Sequence, residues 1–178
     1  MATFAIPAAL IWALIGGIVW PLHSVWVVIL AIGVAYAFLY GASESLGLRL
    51  QGPSFDWQVP LDWVRAPRMN LMLMWGVTLG PGLVTRNPFA SLWILIPLLA
   101  LMPSEASSLT IGALVGLVHG LARASSVLAL ASEVGPETAG NVDVMRRHLD
   151  RLRLRQYDGL LLLVLGGILL IRLVRSAG

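Results

Sequence analysis

With 178 residues the chain is long enough for one domain of moderate size. Its composition, 58% apolar and 12% charged with a mean hydropathy of +0.84, excludes an ordinary soluble domain, which needs about 25% charged residues to cover its core. The formal charge of +3 comes from twelve arginines against nine acids, with no lysine. Many of these arginines sit at the ends of apolar runs, which is a membrane pattern and excludes a nucleic-acid footprint. The absence of cysteine excludes disulfides, thiolate metal sites and thiol exchange.

A helix needs about 20 apolar residues to cross the hydrocarbon layer. Phe4–Trp20 is a charge-free run closed by Pro21, and without a positive n-region or small-residue cleavage site it reads as a retained first span, not a signal peptide. Leu22–Tyr40 is a second run whose helix can continue through Ser45 to Leu48. Arg49–Arg68 is polar and proline-rich, with Trp57 and Trp63 suited to the headgroup level. Met69–Thr85 is a third run, interrupted by Gly80, Pro81 and Gly82. Phe89–Met102 is short for a span and is closed by Pro103, so six spans, or five with a re-entrant piece, both fit the pattern. Leu109–Ala131 is the fifth segment and Gly159–Val174 the sixth, with Arg172 and Arg175 able to snorkel at its end. The expected fold is all-α: a polytopic helical membrane bundle of about six transmembrane helices in a single domain, residues 1–178.

Between the last two runs, residues 141–155 have a helical period. Val142, Met145, Leu149 and Leu152 recur every three or four residues, and Arg146, Arg147, Arg151, Arg153 and Arg155 fill the other faces. The pattern predicts an amphipathic helix on the membrane surface, a connecting helix whose partners are lipid headgroups. Its arginine density favours the cytoplasmic leaflet, with both termini outside.

The chain also resembles itself. With an offset of 81, Pro7, Ala9, Trp12, Leu14 and Ile15 meet Pro88, Ala90, Trp93, Leu95 and Ile96; with 82, Ala42, Ser43 and Leu46 meet Ala124, Ser125 and Leu128. This divides the chain into repeats 4–86 and 87–176 of three segments each. An odd number of spans makes the second copy enter upside down, the inverted-repeat plan of many transporters. The pattern resembles the three-plus-three membrane domain of the CcdA and DsbD thiol-reductant carriers and of the lysine-exporter-like transporters. The resemblance implies redox cysteines in the first helix of each repeat; none exists here, so electron-carrying chemistry is excluded.

Ionisable groups at membrane depth are functional candidates. His119 and Arg123 are four apart and share a helix face, beside small residues at Gly112, Gly116, Gly120 and Ala124 that suit close helix packing. Tyr40, Ser43 and Glu44 close the second run. A Glu44–Arg123 ion pair is the simplest neutralisation, serving either as a lock or as part of a substrate or proton path. The Gly80–Gly82 break either ends a helix or lines a binding site. His23, His119 and His148 are scattered, without metal-ligand spacing, and no phosphate loop or nucleophile motif is present, so no enzyme activity, metal or cofactor is expected. Two functions fit: a small transporter or carrier-like protein, or a non-catalytic subunit or assembly factor of a membrane complex. The expected partners are membrane lipid, other membrane subunits or further copies of the chain, and no nucleic acid. The expected location is a bacterial cytoplasmic membrane, multi-pass.

Overall fold

The computed structural model describes residues 2–48, 50, 73–74, 76–78, 80–83, 90–133 and 152–177, with the backbone alone at 126–133, 152–153 and 176–177. All regular structure among them is helical: α1 (Ala2–Val19), a 3₁₀ segment (Trp20–Val25), α2 (Trp26–Ser45), α3 (Ser91–Ala100), α4 (Glu105–Glu133) and α5 (Leu152–Ala177), with helical residues also at 73–74 and 76–78. Among the described residues, three stretches are long and apolar enough to cross a membrane: Ala2–Ser45, Glu105–Ser125 and Leu154–Arg175. The chain divides into two compact units. Unit 1 comprises Met1–Ile15, Ser54–Asn87 and Leu109–His148; unit 2 comprises Gly16–Pro53, Pro88–Ser108 and Leu149–Gly178. Each unit therefore draws on both of the expected halves, 4–86 and 87–176.

In unit 1 the small face of α4 lies on α1. A side chain at Gly112, Gly116 or Gly120 would run into the carbonyls of Trp12, Ala8 and Phe4 respectively. Each step of four residues up α4 meets a step of four down α1, so the two run antiparallel with their backbones in contact, as small residues every four positions allow. Phe4, Ala5, Ala8, Trp12 and Ala124 are buried along this seam. The Gly80-Pro81-Gly82 break is a turn following helical residues 76–78, with Gly82 at φ +73°. A turn there frees carbonyls that lipid cannot satisfy. The Pro81 carbonyl instead accepts a hydrogen bond from the buried Trp12 indole Nε1 at 3.0 Å. The break is therefore closed against protein.

In unit 2, α2 packs chiefly against α5, and α3 lies beside both. Gly33, Ala37 and Gly41 make the contact face of α2. Gly41 faces Gly159 and Leu163, Ala37 faces Gly166, and Gly33 faces Leu169 and Pro97. Rising numbers on α5 meet falling numbers on α2, so these two are antiparallel. The Tyr36 hydroxyl reaches the Ala90 carbonyl while Gly33 meets Pro97, so α3 is antiparallel to α2 as well. Leu30, Ala37, Ala90, Ile94, Leu162 and Leu169 form the core between them. α2 ends at Ser45 rather than Leu48. Gly47 takes φ +71°, and the Gly47 and Leu48 N–H groups bond back to Glu44 and Ser43. This is the Schellman geometry that glycine at the position after the cap favours.

Three candidate crossings stand among the described residues, where the sequence pattern gives about six in an inverted three-plus-three plan. Six successive crossings, and the inverted three-plus-three plan built on them, carry the second, fourth and sixth segments through the membrane the same way. α3 and α5 both run opposite to α2. The ten residues of α3 span about 15 Å, half of the ~30 Å layer. Residues 141–151 of the expected surface helix lie outside the described residues, and Leu152–Arg155 belong to α5.

Candidate functional site

The polar centre of unit 2 is built on the facing ends of α2 and α5. Arg155 and Asp158, three residues apart on α5, share a face directed at α2 and α3. The Arg155 guanidinium holds Glu44 at both oxygens, Nε to Oε2 at 2.6 Å and Nη2 to Oε1 at 2.8 Å. The fork geometry matches a carboxylate, which makes this the strong form of the ion pair. Only 3% of the Glu44 side chain and 19% of Arg155 remain exposed. Gly159 makes the approach possible, because a Cβ there would stand 2.8 Å from the Glu44 Cβ.

Asp158 points the other way along the same face. It is buried, and its Oδ2 accepts the Ser91 backbone N–H at 3.2 Å. Ser91 opens α3, which has no side-chain cap of its own. A carboxylate from α5 thus supplies the negative partner that a helix N-terminus favours. Tyr36 stacks on Tyr40 with ring centroids 4.4 Å apart, and its hydroxyl donates to the Ala90 carbonyl at 2.8 Å. Two carboxylates, one guanidinium and a helix N-terminus therefore converge around the start of α3.

Unit 1 carries a separate group. His119 and Arg123 lie one turn apart on α4, half-buried, beside the glycine seam. The His119 Nε2, the Arg123 Nη2 and the Thr3 Oγ1 are buried without a hydrogen-bond partner among the described residues.

The expected residues are thus distributed differently from the sequence reading. Glu44 is neutralised by Arg155 and not by Arg123, which corrects the predicted pair. Arg155 in turn is no surface residue, since it turns inward from α5. Tyr40 stands beside the cluster. Ser43 is a capping residue: its hydroxyl donates to the Leu48 carbonyl and accepts the Leu50 N–H. Arg146, Arg147 and Arg151 lie outside the described residues, and Arg153 is described only in its backbone. Asp158, Tyr36 and Ser91 were not anticipated. The available signal was the three-residue spacing of Arg155 and Asp158 immediately before an apolar run, which places both on one face of the entering helix.

No family model, no curated protein and no solved structure matches this chain.

Proposed function

We propose that the chain is a small multi-pass membrane transporter whose working site is the Glu44–Arg155–Asp158 cluster around the start of α3. One observation carries this reading: a half-length helix whose first N–H is held by the buried Asp158. Through Tyr36 that start is tied to the middle of α2. Transporters use discontinuous helices in this way, because a half-helix N-terminus inside the apolar layer binds an anionic group. The membrane crossings are five. Antiparallel α2 and α5 are met by an even number of crossings in the chain between them, and α4 is one of these.

In this scheme a solute carboxylate or phosphate competes with Asp158 for the N-terminus of α3. The Glu44–Arg155 pair, at the end of α2, closes that side until Asp158 is released or protonated. The test is reconstitution in liposomes on a solid-supported membrane, with small carboxylates and phosphate esters applied as pulses. The wild type should give a solute-dependent current, and Asp158→Asn and Glu44→Gln should lose it while eluting as folded protein in detergent. If no solute gives a current, or if both variants carry it undiminished, the transport reading is wrong and the non-catalytic subunit takes its place.

A further inference from the structure

At the opposite end of unit 2 from the Glu44–Arg155 pair, a cleft of about 510 Å³ opens between the 3₁₀ segment, the end of α3 and the end of α5. His23, Arg172 and Arg175 line it together with Trp26, Leu30 and Leu101. Arg172 and Arg175 are three apart and so share the face of the last turns of α5. Both are exposed, and neither has an ion-pair partner among the described residues. Among the described residues no acidic side chain lines the cleft. Its floor is different in kind: Leu30 is buried and belongs, with Leu101, to the apolar core of the unit. The cleft is therefore cationic at its rim and apolar below.

We propose that this cleft binds the phosphate of an anionic membrane phospholipid, with an acyl chain running down past Trp26 and Leu101. The pairing follows from charge and position. Two guanidiniums are suited to a phosphate's oxygens; they stand at the end of the candidate span Leu154–Arg175, where the tryptophan that opens α2 beside them fits the headgroup level. A neutral headgroup leaves the arginines uncompensated, and a soluble anion leaves the apolar wall exposed. This inference is independent of the transport proposal, since the cleft and the Glu44 cluster lie at opposite ends of α2 and α5.

The experiment is native mass spectrometry of the delipidated full chain in a neutral detergent. It is titrated with palmitoyl-oleoyl phosphatidylglycerol, with the phosphatidylcholine of the same chains, and with inorganic phosphate. Phosphatidylglycerol should bind in preference to phosphatidylcholine. The double variant Arg172→Gln/Arg175→Gln should weaken that binding by about tenfold or more, the loss of one charge-assisted contact or better. Arg172→Lys/Arg175→Lys, which keeps the charge, should retain most of it and excludes a folding defect as the cause. Equal binding of the two lipids, or undiminished phosphatidylglycerol binding by the glutamine variant, overturns the proposal. Arginine-dependent binding of inorganic phosphate as tight as that of the lipid overturns the lipid assignment in favour of a free anion.

Discussion

A carboxylate with 3% of its side chain exposed needs a countercharge, and Glu44 has one in Arg155 at both oxygens. Removing one member of a buried pair leaves the other uncompensated, at a cost of about 3–5 kcal/mol. Arg155→Ala and Glu44→Ala should each lower the unfolding free energy in detergent by that amount, seen as a lower melting temperature. The double variant should lose less than the sum, whereas additive losses would rule out direct coupling. Trp12 offers a neutral counterpart. Trp12→Phe keeps the buried ring but leaves the Pro81 carbonyl without its donor, and the unfolding free energy should fall by about 1–3 kcal/mol; an unchanged value would mean that another group satisfies the carbonyl. At this scale the sequence revealed which group was costly but not its partner. Glu44 stood out because an acid closing an apolar run must be paired. Arg155 was hidden by its neighbours, since five arginines in ten residues read as a solvated face. Asp158 is not legible as part of the site because it lies one residue before the apolar run that begins at Gly159 and reads as the last residue of the polar stretch.

Among the elements, the helices meet where side chains are smallest. A Cβ on Gly116 would press on the Ala8 carbonyl and stand 2.8 Å from the Ala9 Cα, and backbone cannot step aside as a side-chain tip can. Gly116→Ala should therefore destabilise by about 1–3 kcal/mol, the usual penalty of overpacking. Gly167, inside α5, has nothing within 4 Å of an added Cβ. There the helix propensity of alanine acts alone, and Gly167→Ala should stabilise by up to about 1 kcal/mol. Thermal unfolding of the two variants side by side checks the seam, and a Gly116→Ala protein as stable as the wild type would show that α1 and α4 are not in backbone contact. The Gly112–Gly116–Gly120 face was legible because its spacing is periodic and nothing polar interrupts it. The equivalent face on α2, Gly33–Ala37–Gly41, carries the same four-residue spacing. It is masked in the sequence by the more distinctive stripe of Tyr36, Tyr40 and Glu44 beside it. The Gly80–Pro81–Gly82 break was legible as a break; that an indole from α1 would close it was not, because that contact spans 69 residues of sequence.

For the molecule as a whole, segment count and segment direction are separate quantities, and hydropathy reports only the first. Ten apolar residues in α3 look like a short span, yet a helix of about 15 Å does not cross a ~30 Å layer. The repeat seen at offsets of 81 and 82 rests mostly on Ala, Leu and Ile matches, which recur in any apolar helix of this composition, and the rarer Pro, Trp and Ser matches are few. Direction comes from contacts: Gly41 with Gly159 and Gly33 with Leu169 make α2 and α5 antiparallel. This has a consequence that the absence of cysteine makes simple to test, because no native thiol has to be removed. With α2 and α5 antiparallel, Leu48, just beyond α2, and Leu154, in the first turn of α5, are expected on the same side of the membrane, and His23 on the other. A six-span chain makes the opposite assignment, placing Leu154 with His23 and against Leu48. Single variants Leu48→Cys, Leu154→Cys and His23→Cys, treated with a membrane-impermeant maleimide in sealed vesicles of known orientation, separate the two. Leu48→Cys and Leu154→Cys should be modified from one face and His23→Cys only from the other. Modification of Leu154→Cys together with His23→Cys would restore six crossings and overturn the five crossings of the transport proposal.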